Sequence, residues 1–202
     1  MPPHARATNV GGIEKDWAKR GLPDDLEGKT VLDVGGWAGG WAKVASNHNA
    51  GRVLLIDSCR SPKIIKGVEF QQMDFMSDTA YQLPQFDVVL LFGILYHVHD
   101  PVGMLYRARR LCKHSLYLET ACMTERSGEP KMETFDDNTN WFKPNVAMVK
   151  WMMRKTGFEP TFVRQTSSGT SQHKAKTKRC VLTGVPVEPK VMEPRGLGWM
   201  KF

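Results

Sequence analysis

The apolar residues of this chain come in short blocks that stop at an acid or a glycine. Thr30-Val31-Leu32-Asp33-Val34 ends in Gly35-Gly36, Arg52-Val53-Leu54-Leu55-Ile56 ends in Asp57, and Phe86 to Phe92 ends in Gly93. Strands this short and this apolar belong to parallel sheets covered on both faces by helices. Helical spacing separates them, at Gly40 to Asn47 and at Pro101 to Cys112. In the second of these, Met104, Leu105, Ala108 and Leu111 share a face and Pro101 lies in the first turn. Shorter strands are expected at Val68 to Gln71 and Ser115 to Leu118. Asn145 to Thr156 reads as a helix with Val146, Val149, Met152 and Met153 on one face, closed by Gly157. Phe158 to Val163 and Cys180 to Val185 read as an antiparallel pair. The expected fold is α/β, a mostly parallel sheet with an antiparallel edge hairpin and helices on both faces.

A length of 202 residues fits one domain with a full core. Residues 1–27 read as an N-terminal arm with a short helix at Ile13 to Arg20, 28–188 as the domain and 189–202 as a tail. The longest nearly uncharged apolar run, Val88 to Val98, falls short of the roughly 20 residues a membrane helix needs. No apolar stretch follows the first residues, so no secretory leader is expected and the cytoplasm is the expected compartment. Cys59, Cys112, Cys122 and Cys180 lack C-x-x-C spacing, which predicts free buried thiols rather than zinc or redox chemistry.

Val31 to Trp41 has the order of a nucleotide-cofactor turn: strand, acid, glycines, helix. Gly35, Gly36 and Gly39 let backbone approach a ligand, and a helix N-terminus favours an anionic group. Asp57 ends the next strand, where a carboxylate accepts both hydroxyls of a ribose. Asp74 follows the third, where a side chain meets an adenine edge. Ser58, Phe75 and Phe92 stand beside them at the same sheet edge. An NAD fingerprint is disfavoured, because its G-x-G-x-x-G starts directly after the strand. Here Asp33 precedes the glycines and Trp37 interrupts them.

These residues resemble the class I S-adenosylmethionine-dependent methyltransferases, with their Rossmann-like sheet. That family reads Asp/Glu-x-Gly-x-Gly-x-Gly in its first loop and has an acid after strand two; Trp37 replaces the middle glycine. Gly39-Gly40-Trp41 also looks like the loop of heat-shock ribosomal RNA 2′-O-methyltransferases. Their Lys-Asp-Lys-Glu tetrad is absent, since Phe92-Gly93-Ile94 and Glu119-Thr120 occupy two of its places. Residues 28 to 185 are similar in order to the tRNA wobble-uridine carboxymethyltransferases: Gly93-Ile94-Leu95-Tyr96-His97, Leu118-Glu119-Thr120 and Asn140-Trp141-Phe142-Lys143-Pro144-Asn145 follow that family's motifs. The resemblance implies S-adenosylmethionine as cofactor, with carboxy-S-adenosylmethionine as the alternative. The family reads the extra carboxylate with a Tyr, an N-terminal Lys and a late Arg. Tyr96 falls on the motif Tyr, and Lys15 or Lys19 is the candidate Lys.

For catalysis, His97 is the base by residue type and Tyr96 a positioning group; the competing reading makes His97 a cap on the following helix. His99 lacks a third ligand nearby, so no metal is expected. Trp41 is expected in the core. Trp141 and Phe142, in an irregular stretch, are expected to stack a base, with Glu119, Thr120 and Lys143 beside the acceptor. Charge is divided along the chain. Residues 1–100 hold 10 Lys and Arg against 12 Asp and Glu, and residues 141–202 hold 12 against 3. A basic loop with Arg164, His173, Lys174, Lys176, Lys178 and Arg179 is the candidate for phosphate contacts. The functional expectation is an RNA methyltransferase acting on a tRNA base. A small-molecule methyltransferase and a non-catalytic cofactor- or RNA-binding partner are the alternatives.

Overall fold

The computed structural model describes residues 10–59, 64–124, 128–135, 138–167 and 178–188. Helix α1 (Val10–Trp17) runs into a 3-10 turn at Ala18–Arg20, which Gly21 ends with a left-handed φ of 76°. Then come β1 (Thr30–Val34), α2 (Gly40–Asn47), β2 (Arg52–Asp57), β3 (Glu69–Gln72), β4 (Phe86–Phe92), α3 (Pro101–Leu111) and β5 (Cys112–Cys122). The chain continues with β6 (Met132–Thr134), β7 (Phe142–Pro144), α4 (Val146–Lys155), β8 (Phe158–Ser167) and β9 (Lys178–Pro186).

Seven strands form one sheet in the order β3-β2-β1-β4-β5-β9-β8. The first five of these strands run parallel, and β9 lies antiparallel between β5 and β8. The expected α/β sheet with its antiparallel closing pair is the fold found. Alternate strand residues feed opposite faces. Leu54 and Ile56 join Leu105 and Met152 on one side, while Val53 and Leu55 join Trp17, Ala42 and Val44 on the other. No helix among the described residues is long and apolar enough to cross a membrane.

From β1 the chain winds out to β2 and β3, then returns to place β4 on the other side of β1. Such a reversal opens a crevice at the carboxyl ends of the two strands. Gly35 ends β1 there with φ 66°, and a Cβ on it would lie 2.7 Å from Ile94 Cδ1. Only glycine meets both demands.

Four details differ from expectation. Helix α1 starts at Val10, inside the expected arm. Phe142 belongs to a small antiparallel hairpin, β6–β7, while Trp141 stays in the irregular chain directly before it; three-residue strands are too short to show a period. Lys178 and Arg179 are strand residues of β9, so the basic loop is shorter than expected, and His173, Lys174 and Lys176 lie outside the described residues. Cys112, Cys122 and Cys180 are buried thiols, but Cys59 is exposed, in the turn after β2.

Trp17 fastens α1 to this frame. It is buried, its Nε1 donates to the Pro23 carbonyl at 2.7 Å, and its ring stacks on His48 with centroids 4.8 Å apart. Losing a buried indole costs about 3–5 kcal/mol. Urea denaturation of Trp17→Ala should show a loss of that size; a loss near zero would mean that α1 is not part of the cooperative unit.

Candidate functional site

Two cavities meet at the crevice. One, of about 250 Å³, is lined by Asp74, Phe75, Met73 and Met104. The other, of about 660 Å³, is lined by Gly36, Trp37, Trp41, Phe92 and Gly93. Gly35, Asp57, Ser58, Ile94 and His97 line both and form the waist of one two-lobed cleft.

At the waist, Asp57 Oδ2 accepts from the Trp37 N–H at 2.9 Å and Oδ1 from the Cys59 N–H at 2.8 Å. Each oxygen keeps a further lone pair for a ligand hydroxyl. Trp37 holds φ 48°, the left-handed geometry that glycine would take freely, so the loop keeps its turn at a cost of about 1–3 kcal/mol. Such strain concentrates at functional sites. Asp33 and Gly39 line neither lobe. Gly39 precedes α2 with φ 72°. Asp33 lies beneath the loop, where Oδ2 accepts from the Ala42 N–H at 3.0 Å and Oδ1 is buried without a partner. A side chain at Gly36 would collide with that carboxylate, which explains the glycine. Burial pushes the Asp33 carboxyl up to about 7; the Ala42 N–H opposes this and the Asp57 charge adds to it. A waist carboxylate, with an acid and a phenyl ring in the small lobe, suits an adenosyl group.

On the acceptor side, His97 Nδ1 lies 2.7 Å from the Thr139 carbonyl. A carbonyl only accepts, so Nδ1 carries the proton and Nε2 of the neutral ring is the basic nitrogen. The capping reading of His97 gives way, because Asp100 caps α3 by accepting from the Gly103 N–H at 2.7 Å. Trp141 is 42% exposed, its N–H donates to the Tyr96 carbonyl at 2.7 Å and its ring lies 3.8 Å from that of His99. Trp141, just before the hairpin, therefore clamps the turn that carries His97. Phe142 and Lys143 sit on that hairpin outside both lobes, with Lys143 paired to Glu133 at 2.9 Å. Thr120 is fully buried and lines neither lobe, so direct substrate contact is closed to it: its position faces inward between β4 and β9. Among the described residues, no three metal-ligating side chains gather.

Glu119 accepts from Arg179 at 3.1 Å and also pairs with Arg20. Arg20 lies over the rings of Trp41 and Phe92, 4.8 and 5.5 Å from their centroids, and the Arg179 guanidinium lies 5.0 Å from the ring centroid of Tyr96. Tyr96 itself is buried and lines neither lobe. Arg20 was not legible in the sequence. Lys15 and Lys19, the sequence candidates for an N-terminal cation, are both exposed, and Lys19 pairs with Asp16 at 3.6 Å. Nothing in the pattern separates Arg20 from the lysine before it. Ile94, which covers Gly35 and lines both lobes, was also missed.

A family model described as a methyltransferase domain matches residues 12–162. The chain is 27% identical over 173 residues to a tRNA U34 carboxymethyltransferase of Aliarcobacter butzleri, across 76% of this chain and 55% of that protein. It is 41% identical over 58 residues to a ribosomal RNA large subunit methyltransferase E of Nitrobacter winogradskyi, across 26% of this chain and 25% of that protein. The chain thus spans about half the length of the first relative. In fold it is similar to the N-terminal domain of EvdMO1, solved with SAH bound, with a TM-score of 0.66 at 17% identity over 89% of this chain and 82% of that one.

The buried acid makes a pH prediction. Asp33 stays protonated to about 7 in the folded chain, whereas its ordinary value is 3.8. Between these values the unfolded chain has released this proton and the folded chain has not, so its contribution to stability falls as pH rises and then levels. Asp33→Asn should flatten that part of a urea-midpoint series from pH 4 to 7; an unchanged slope would place the titration elsewhere. By the extent of the matching model, the chain belongs to the methyltransferase domain family.

Proposed function

We propose that this chain transfers a methyl group from S-adenosylmethionine to a base of RNA, with tRNA the acceptor class. When bound, the cofactor supplies a methyl group already activated by its sulfonium. Asp57 holds the ribose hydroxyls, Asp74 and Phe75 meet the adenine, and Asp33 supports the loop beside the charged tail. His97 Nε2 takes the proton of the attacking nucleophile, while Thr139 fixes the ring and its tautomer. Trp141 stacks the acceptor base at the mouth, worth about 1–3 kcal/mol. The observation that carries this reading is His97 on the cleft wall, oriented by Thr139, on a turn that the Trp141 backbone N–H holds through the Tyr96 carbonyl. The two relatives described above are both named for RNA, which supports the acceptor class.

Incubation with S-adenosylmethionine and bulk tRNA, followed by mass spectrometry of the nucleosides, should reveal a new methylated nucleoside. His97→Ala should lower its rate about 10²–10⁴-fold, the usual share of a general base. Asp57→Ala should weaken cofactor binding in calorimetry. Cofactor binding without any change in the tRNA nucleosides would refute the RNA reading.

A second reading, carboxymethyl transfer, is favoured by Arg179, a late arginine beside the motif residue Tyr96. In that case carboxy-S-adenosylmethionine should bind at least tenfold tighter than S-adenosylmethionine, and Arg179→Leu should erase the difference. Equal affinities would leave plain methyl transfer.

A further inference from the structure

One face of α4 is turned away from the core. Val149, Met152 and Met153 are buried, while Ala147, Lys150, Trp151, Arg154 and Lys155 follow one another at spacings of three and four on the opposite side. That stripe forms one wall of a groove of about 460 Å³, and Gly128 and Pro130 form the other. Trp151 is 44% exposed. Lys155 Nζ lies 5.8 Å from its ring centroid, and Lys150 Nζ lies 6.0 Å from the ring centroid of Phe162, itself 40% exposed. Arg154 is paired with Glu159 at 3.1 Å. Arg154 and Lys155 also complement the helix dipole. That accounts for neither Lys150, a turn earlier, nor an indole in water on an otherwise polar stripe.

We propose that this groove holds a single-stranded segment of the substrate RNA, with a base stacked on Trp151 and phosphates met by Lys150 and Lys155. The inference rests on the RNA reading above. Flat aromatic surface interleaved with cations is the chemistry that binds a nucleic-acid strand without reading its sequence. Charge complementarity selects this occupant, because the charged residues that line the groove, Lys150, Arg154 and Lys155, are all cations. The groove is also joined to the cleft. Asn145 caps α4 by accepting from the Met148 N–H at 2.8 Å, and its Nδ2 donates to the Glu129 carbonyl at 2.7 Å. Its backbone N–H donates to the Lys131 carbonyl at 2.9 Å, just before β6. Groove wall, helix and hairpin are thus tied at one point, and Trp141, just before β7, binds through its backbone N–H the turn that carries His97.

The test measures binding of fluorescently labelled tRNA and of a labelled single-stranded RNA by anisotropy at two salt concentrations. The proteins are the unaltered chain, Trp151→Ala and the double variant Lys150→Glu/Lys155→Glu. Trp151→Ala should weaken RNA binding about tenfold. The double variant should weaken it at least as much and flatten the salt dependence. S-adenosylmethionine affinity, read by calorimetry, should stay unchanged in both. If the unaltered chain binds RNA and the variants bind it equally well, the groove is no RNA site and the wider reading stands; a protein occupant gives this same result. If the unaltered chain binds no RNA, both readings fall.

Discussion

Glu119 is the group on which the acceptor end of this molecule depends. It sits near the end of β5 and takes a guanidinium from each side, Arg20 from the N-terminal turn and Arg179 from β9. Three stretches that are distant in sequence are thereby held around one carboxylate. Removing one member of a buried ion pair leaves an uncompensated charge and typically costs about 3–5 kcal/mol, more than the pair contributes when complete. Arg20 also lies 3.9 Å from Asp16, so the two guanidiniums behind Phe92 and Tyr96 are shared between two carboxylates.

The loop after β1 shows the same economy with neutral donors. Asp57 gathers backbone N–H groups from Trp37 and Cys59, and Asp33 takes one from Ala42. The protein's own carboxyl groups thus orient the turn before any ligand arrives. Trp37 adopts the left-handed backbone that its position demands because the Asp57 bond holds its N–H. Trp37 therefore supplies its side chain to the wall of the cleft from a left-handed position that glycine would take freely.

The apolar strands and the acids that end them were legible because a parallel sheet buried on both faces leaves a continuous apolar run. Asp57 and Asp74 were legible for the same reason, since they stand at or just after strand ends, and His97 because its turn follows β4; topology brings these strand ends together. Arg20 was not, because its role depends on where a short turn sits against β5, which local pattern does not encode. The β6–β7 hairpin was hidden by its length, although Phe142, which it carries, was noticed. Thr120 shows the opposite error. It stands next to Glu119 in a recognisable motif, but period two in a strand sends neighbours to opposite faces, and Thr120 is turned into the interior.

The place of β9 has a consequence for how the molecule assembles. β8 is made before β9, yet it pairs only with β9, which alone reaches β5. During vectorial synthesis β8 therefore has no docking site of its own and must wait for the later strand to insert. Arg179 arrives with that strand. The crevice at β1 and β4 needs no strand made after β4, whereas the Glu119 cluster is completed last, when β9 pairs with β5.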